Sequence, residues 1–220
     1  MSTLLKPAVA GLLATLFADA KRTDEQVLPR AAARMKTLDG PMNDRLLGDI
    51  LDDAYIPVGP EVGRLLYQLV RLKKPRTIVE FGTSFGISTI HMAAAVRDNG
   101  MGRIVTTELS ETKARRAGEH IQAAGLSDLV EIRQGDAFET LARDRSPIDL
   151  LLLDGWKELY LPLLKQLEPQ LPPGAVIIGD DLKLMPEMLA SYLEYVREES
   201  NGYLSLELPM DDGIEISLRV

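Results

Sequence analysis

Thr77-Ile78-Val79-Glu80-Phe81-Gly82-Thr83-Ser84-Phe85-Gly86 is the stretch that decides the fold. Its first half is short, rich in β-branched and aromatic residues, and ended by a glycine, which reads as a buried strand. Ile90, Met92, Ala93 and Val96 follow as a helix. The alternation then continues through Arg103–Thr107 (strand), Glu111–Ala124 (helix), Val130–Ile132 (strand), Asp136–Arg143 (helix), Ile148–Leu153 (strand), Tyr160–Leu167 (helix), Ala175–Ile178 (strand) and Pro186–Glu199 (helix). Two last strands, near Tyr203–Leu208 and Ile214–Val220, flank the polar turn Asp211-Asp212-Gly213. Strands that alternate with helices and run unbroken in apolar residues belong to a parallel sheet covered on both faces. The expected fold is α/β: a doubly wound, mostly parallel sheet of seven strands.

Upstream of this core only helices are expected, so residues 1–56 read as a helical cap and 57–220 as the core of one domain. Lys6, the apolar stretch Pro7–Phe17 and Ala18-Asp19-Ala20 imitate an export signal. An amphipathic helix is the preferred reading, with Pro7 in its first turn and Leu12, Leu13, Leu16 and Phe17 on one face. Asp24 is expected to cap a second helix through about Thr37, and Gly40-Pro41 to break the chain. A short helix from Asn43 or Asp44 carries Leu46, Leu47, Ile50 and Leu51. Pro57-Val58-Gly59-Pro60 makes a stiff turn into a helix with Val62, Leu65, Leu66, Leu69 and Val70 at helical spacing. The apolar stripes Leu12, Leu13, Leu16, Phe17 and Leu46, Leu47, Ile50 exceed what a thin cap needs, so a homodimer through these helices is expected.

Composition narrows the chemistry. The 220 residues are 45% hydrophobic and 26% charged, as in an ordinary globular protein. With no cysteine, there is no disulfide, thiolate zinc site, iron–sulfur cluster or thiol nucleophile. Two histidines, His91 and His120, do not make a multi-histidine metal site; His91 reads as packing or surface and His120 as a solvated helix face. A metal here should be a hard cation held by carboxylates. The net charge of −8 argues against nucleic acid as a partner. No apolar run reaches the roughly 18 residues of a membrane span, and a cytoplasmic location is expected.

In doubly wound sheets ligands sit at the carboxyl ends of the strands, near the topological switch point. Those ends here are acidic: Glu80 before Gly82, then Glu108, Asp136 after Gly135, Asp154-Gly155-Trp156-Lys157, and Asp180-Asp181. The glycines are spaced Gly82-x-x-x-Gly86 rather than G-x-G-x-x-G, and a negative charge beside the loop repels a diphosphate. It suits a cofactor with a cationic ammonium and sulfonium. Glu108 can accept hydrogen bonds from two ribose hydroxyls. Glu80 ends a buried strand, where an unpaired carboxylate calls for a ligand. The plainer readings are that Asp180-Asp181 is a strand end with a helix cap, that Lys157 is a solvated lysine and that Trp156 is core.

Val79-Glu80-Phe81-Gly82-Thr83-Ser84-Phe85-Gly86-Ile87-Ser88 resembles the glycine-rich first motif of the metal-dependent, S-adenosylmethionine-dependent O-methyltransferases, which include the catechol and caffeoyl-CoA enzymes. Leu153–Tyr160 is similar to their Asp-His-Trp-Lys or Asp-Ala-Asp-Lys segment, Ile178-Gly179-Asp180-Asp181 to their Asp-Asn pair, and Leu208–Gly213 to the penultimate turn of bacterial and plant members. The resemblance implies a Rossmann-like class I methyltransferase fold. It implies that Val58, Gly82, Thr83 and Ser88, with Glu80 nearby, hold the methionine part of the cofactor. Glu108 would bind the ribose, and Asp136, Ala137 and Phe138 would border the adenine. Asp154, facing the cofactor's amine as well, would chelate a divalent cation with Asp180 and Asp181, usually Mg²⁺. Lys157 would be the general base, and Trp156 a wall shared by cofactor and acceptor.

Methyl transfer is an in-line displacement, so alignment of acceptor and sulfonium is a main lever. A hard cation on two vicinal oxygens fixes that alignment and acidifies the hydroxyl. A nearby lysine can take the proton once burial or a cation favours its neutral form. The resemblance therefore implies methyl transfer to a hydroxyl of a catechol-like small molecule (EC 2.1.1 class). The alternatives are a metal-independent small-molecule methyltransferase and a catalytically silent binding protein of the same fold. Three departures stand out: Asp181 replaces the family's Asn, Gly155 replaces a larger residue, which loosens the expected adenine wall, and the late acidic substrate residue of the catechol enzymes has Leu206 in its place with Glu207 adjacent.

Overall fold

The computed structural model describes residues 2–37, 44–142 and 145–220. Its centre is β1 (Thr77–Phe81), whose five residues are all buried. β2 (Arg103–Glu108) and β3 (Val130–Gln134) are added in parallel on one side of it, and β4 (Leu150–Leu153) and β5 (Val176–Gly179) in parallel on the other. A hairpin of β6 (Tyr203–Leu208) and β7 (Ile214–Arg219) closes the sheet antiparallel, giving the order β3-β2-β1-β4-β5-β7-β6. The chain leaves β1 in one direction and returns beside it as β4, so the switch point lies between the carboxyl ends of these two strands.

Helices α3 (Pro60–Lys73), α4 (Ile87–Asn99), α5 (Glu111–Ala123), α6 (Ala137–Leu141), α7 (Tyr160–Leu167) and α8 (Pro186–Arg197) complete the core. α4 is buried on every side from Ile87 to Val96. His91 is buried there, its Nδ1 2.8 Å from the Ile87 carbonyl oxygen, as the packing reading expected. His120 Nδ1 lies 2.9 Å from the Phe85 carbonyl oxygen. α6 is shorter than expected; Asp136 caps it by accepting from the Phe138 amide at 2.7 Å. Arg143, where that helix was expected to end, lies outside the described residues.

The cap differs most from expectation. α1 runs unbroken from Pro7 to Lys36 with Pro7 in its first turn, so the two expected helices are one. Asp24 is interior to it and caps nothing in it. Its carboxylate instead accepts the amides of Tyr55 (2.7 Å) and Ile56 (2.9 Å), far along the chain. α2 is Asp44–Ile50; the expected break at Gly40-Pro41 lies outside the described residues. Val9, Leu13, Leu16 and Ala20 of α1 share one buried cluster with Ile78 of β1 and Ile104 of β2. Leu12 and Phe17 pack against it, while Ile50 and Leu51 pack with Ala31 and Ala54. Full burial of a Val, Leu or Ile side chain such as Val9, Leu13, Leu16 or Ile50 contributes roughly 1.5–3 kcal/mol. Of the stripes from which a homodimer was expected, Leu13, Leu16, Leu47 and Ile50 are buried within the chain, while Leu12, Phe17 and Leu46 are half-buried. No helix among the described residues is long and apolar enough to cross a membrane.

Candidate active site

The loop after β1 and the end of β4 touch at the switch point. Gly82 has φ +100°, and a Cβ there would lie 2.3 Å from the Asp154 carbonyl oxygen, so only glycine fits. Val58, Gly82, Thr83, Ser88 and Asp154 line one cleft at this place. Tyr55, Ile56 and Pro57 line the same cleft. The Tyr55 ring stacks on Phe85 at 3.8 Å, and the Tyr55 carbonyl oxygen accepts from Ser84 Oγ at 2.7 Å.

Several expected ligand contacts are already used inside the chain. The Thr83 hydroxyl lies 2.5 Å from that of Thr106 and 3.0 Å from the Thr107 carbonyl oxygen. Ser88 and Thr89 each donate to the Glu80 carboxylate at 2.5 Å. Glu80 is thus fully buried yet paired, and the argument that it needs a ligand is corrected. Burial raises its pKa, and these hydroxyls oppose the shift. Glu108 Oε2 accepts from the Ser84 amide at 2.8 Å and Oε1 from the Ser110 amide at 2.9 Å. It ties the loop to the start of α5 while retaining lone pairs on both oxygens. Its pKa is raised, chiefly by burial. Asp136 is exposed and capping, Ala137 is buried, and the Phe138 carbonyl oxygen accepts from Gln166. These three do not line the cleft with Gly82 and Asp154.

Gly155 is explained by Phe81: a Cβ at 155 would lie 2.5–2.8 Å from the Phe81 ring. That ring takes the place a side chain at 155 would need. Trp156 is half-buried and packs against the cluster of Ala31, Ile50, Leu51 and Ala54, so it joins the cap to the end of β4.

The ends of β4 and β5 bring together the chemistry-bearing residues. Asp154, Asp180 and Asp181 offer carboxylate oxygens within 4.8 Å of one another. The Asp181 amide donates to Asp180 Oδ1 at 2.9 Å, and Asp181 takes φ +62°, a conformation Asp tolerates. Lys157 is 7% exposed; its Nζ donates to Asp181 Oδ2 at 2.8 Å and to the Tyr160 hydroxyl at 2.9 Å. It is no solvated lysine. Burial, then the neighbouring carboxylates, hold the Tyr160 phenol well above its usual pKa. Tyr160 therefore stays protonated, and its hydroxyl lies 3.3 Å from the Asp180 carbonyl oxygen. Burial first and Asp181 second push the Asp180 carboxyl up to about 7; burial and Asp180 hold Asp154 well above the usual range. Clustered carboxylates that resist ionisation fit a divalent cation, which removes the repulsion, and all-oxygen donors suit a hard one.

Sequence reasoning missed Asp24, Tyr55 and Phe85. Asp24 had a signal: it follows Leu16 and Ala20 and precedes Val27 and Ala31 at spacings of four, four, three and four, on the packed face of α1.

A sequence profile described as a methyltransferase domain matches residues 79–182, from β1 to just past the carboxylate cluster. The chain is 34% identical over 131 residues to a catechol O-methyltransferase of Niastella koreensis, covering 58% of this chain and 58% of that one. It is 30% identical over 169 residues to a catechol O-methyltransferase of Sus scrofa, covering 72% of this chain and 90% of that one. Among solved structures, an O-methyltransferase from Bacillus cereus in complex with SAH superposes with TM-score 0.67 at 26% identity, covering 90% of this chain and 91% of that one. The chain spans 58, 64 and 54% of the length of the bacterial, zebrafish and cattle catechol O-methyltransferases that it matches.

Proposed function

The chain belongs to the catechol O-methyltransferase family, and from that premise we propose that it transfers a methyl group from S-adenosylmethionine to a hydroxyl of a catechol-like small molecule with the help of a divalent cation, Mg²⁺ by preference. The carrying observation is the cluster of Asp154, Asp180 and Asp181 with Lys157 beside it, next to the cleft at the switch point. The SAH-bound relative supports the cofactor.

Val58, Gly82, Thr83 and Ser88 would border the methionine part of the cofactor. Thr83 and Ser88 would do so as surface, since their hydroxyls are engaged inside the chain. Glu108 would take the ribose, Asp136, Ala137 and Phe138 would border the adenine, and Asp154 would face the amine. The sulfonium supplies an electrophilic methyl group. Asp154, Asp180 and Asp181 would hold the cation, which would supply electrostatic stabilisation and make a hydroxyl beside it more acidic. Lys157 Nζ, fixed by Tyr160 and Asp181, would first release its own proton to solvent and then, as the neutral amine, take the hydroxyl proton as the oxygen–carbon bond forms and the carbon–sulfur bond breaks. Trp156, pinned between cap and β4, would wall the acceptor side. The test is a screen of vicinal-diol phenols with S-adenosylmethionine, read by mass. Products one methylene heavier support the reading; no methylated product from any diol, with an enzyme that binds SAH, removes it.

One observation favours a second reading. Lys157 already neutralises Asp181, so transfer without a metal is the alternative, and chelation of divalent cations distinguishes the two.

A further inference from the structure

Ile56 has φ +42°, a left-handed backbone conformation that a β-branched residue adopts only when its surroundings impose it. What imposes it is visible. Both carboxylate oxygens of Asp24 are spent on this one turn, Oδ1 on the Tyr55 amide and Oδ2 on the Ile56 amide. The turn lines the cleft together with Gly82, Thr83 and Asp154. Its other ties are made by the cleft loop and α5: Ser84 Oγ on the Tyr55 carbonyl, Phe85 stacked on the ring, and Arg116 donating to the Tyr55 hydroxyl at 3.1 Å. Asp24 is the hydrogen-bonding tie from α1, against whose Ala31 cluster Ile56 also packs.

We infer that Asp24 is a positioning residue for the cofactor cleft, acting through the strained backbone of Ile56. This rests on the proposed cofactor reading. Without Asp24, two amides lose their acceptor and Ile56 is free to relax to negative φ. That moves the wall running from Tyr55 to Val58. Tyr55, Ile56 and the cleft loop would keep their side chains but not their spacing.

The test is the dissociation constant for SAH, measured by calorimetry in a mutant cycle of Asp24→Ala and Ile56→Gly, with Asp24→Asn as a milder variant that keeps one acceptor oxygen. Asp24→Ala is expected to weaken SAH by roughly tenfold or more, and Asp24→Asn by an intermediate factor. With Ile56→Gly present, glycine holds positive φ at no steric cost. The factor lost on Asp24→Ala should then shrink to within about threefold. General support of the fold would instead cost the same factor in both backgrounds, and that result overturns the inference. So does unaltered SAH affinity in both Asp24 variants. A wild-type chain that takes no SAH overturns the cofactor reading itself, and this inference with it.

Discussion

The Lys157 ammonium lies 2.8 Å from Asp181 Oδ2, so the proposed base is held by a proposed metal ligand. The family's Asn at this position would carry no charge; Asp181 makes the contact an ion pair, buried on the lysine side. Lys157→Ala is expected to leave SAH affinity near wild type and not to weaken Mn²⁺ binding, because it removes a competing positive charge. Turnover on a catechol should fall by roughly 10²–10⁴-fold. Steady-state kinetics beside calorimetry on one preparation checks this; a loss of SAH affinity to match the loss of turnover would place Lys157 in binding rather than proton transfer.

The carboxylate cluster makes stability depend on pH. Asp180 has a folded-state value of about 7 against an ordinary 3.8, so the folded protein binds the proton more tightly. That contribution is present at pH below the ordinary value and is lost as pH rises through about 7. Asp154 shifts in the same direction. In EDTA, Asp180→Asn is expected to gain stability relative to wild type as pH rises from about 4 to about 8. Denaturant unfolding at several pH values measures it, and a difference that stays flat removes the electrostatic account of the cluster.

Gly155 and Phe81 form a pair. Gly155→Ala forces a Cβ against the Phe81 ring, where 2.5–2.8 Å separates them before any shift. The expected cost is about 1–3 kcal/mol in unfolding free energy. Phe81→Leu in the same chain should recover part of it, so the double variant is less unstable than the sum of the two single ones. Strict additivity would mean that the two sites do not touch.

How much of this was legible in the sequence follows from what each residue type signals. β1 was read to the residue, because a five-residue run rich in β-branched and aromatic residues and ended by glycine has few alternatives once helices alternate with it. The carboxylates at the ends of β4 and β5 were legible because the fold itself puts strand ends together. Asp24 was misread because an aspartate before a helical stretch looks the same whether it caps that helix or reaches across to another segment; only its place on the packed face of α1 separates the two. The crowding at Gly155 was not legible because the ring beside it is Phe81, distant in sequence and brought near by the pairing of β1 with β4. Glu80 looked unpaired because its partners, Ser88 and Thr89, lie one helix start away.

Glu108 joins two tasks. Glu108→Ala removes the proposed ribose contact and leaves the Ser84 and Ser110 amides without their acceptor. Weaker SAH binding and a lower unfolding midpoint are therefore expected together, each lost hydrogen bond to the charged group contributing about 1.5–3 kcal/mol. Calorimetry and thermal unfolding on the same sample check both; unchanged SAH affinity with a lowered midpoint would leave Glu108 as a structural tie alone.

The central claim is that the three carboxylates hold a cation on which methyl transfer depends. The direct measurement is the rate of methyl transfer to one vicinal-diol phenol at saturating S-adenosylmethionine, after EDTA and on titrating Mg²⁺ back, in wild type and in Asp180→Ala. The expected result is a wild-type rate that collapses in EDTA and returns with Mg²⁺, and an Asp180→Ala rate that does not return although SAH still binds. A wild-type rate indifferent to EDTA and Mg²⁺, with Asp180→Ala equally active, would contradict the claim.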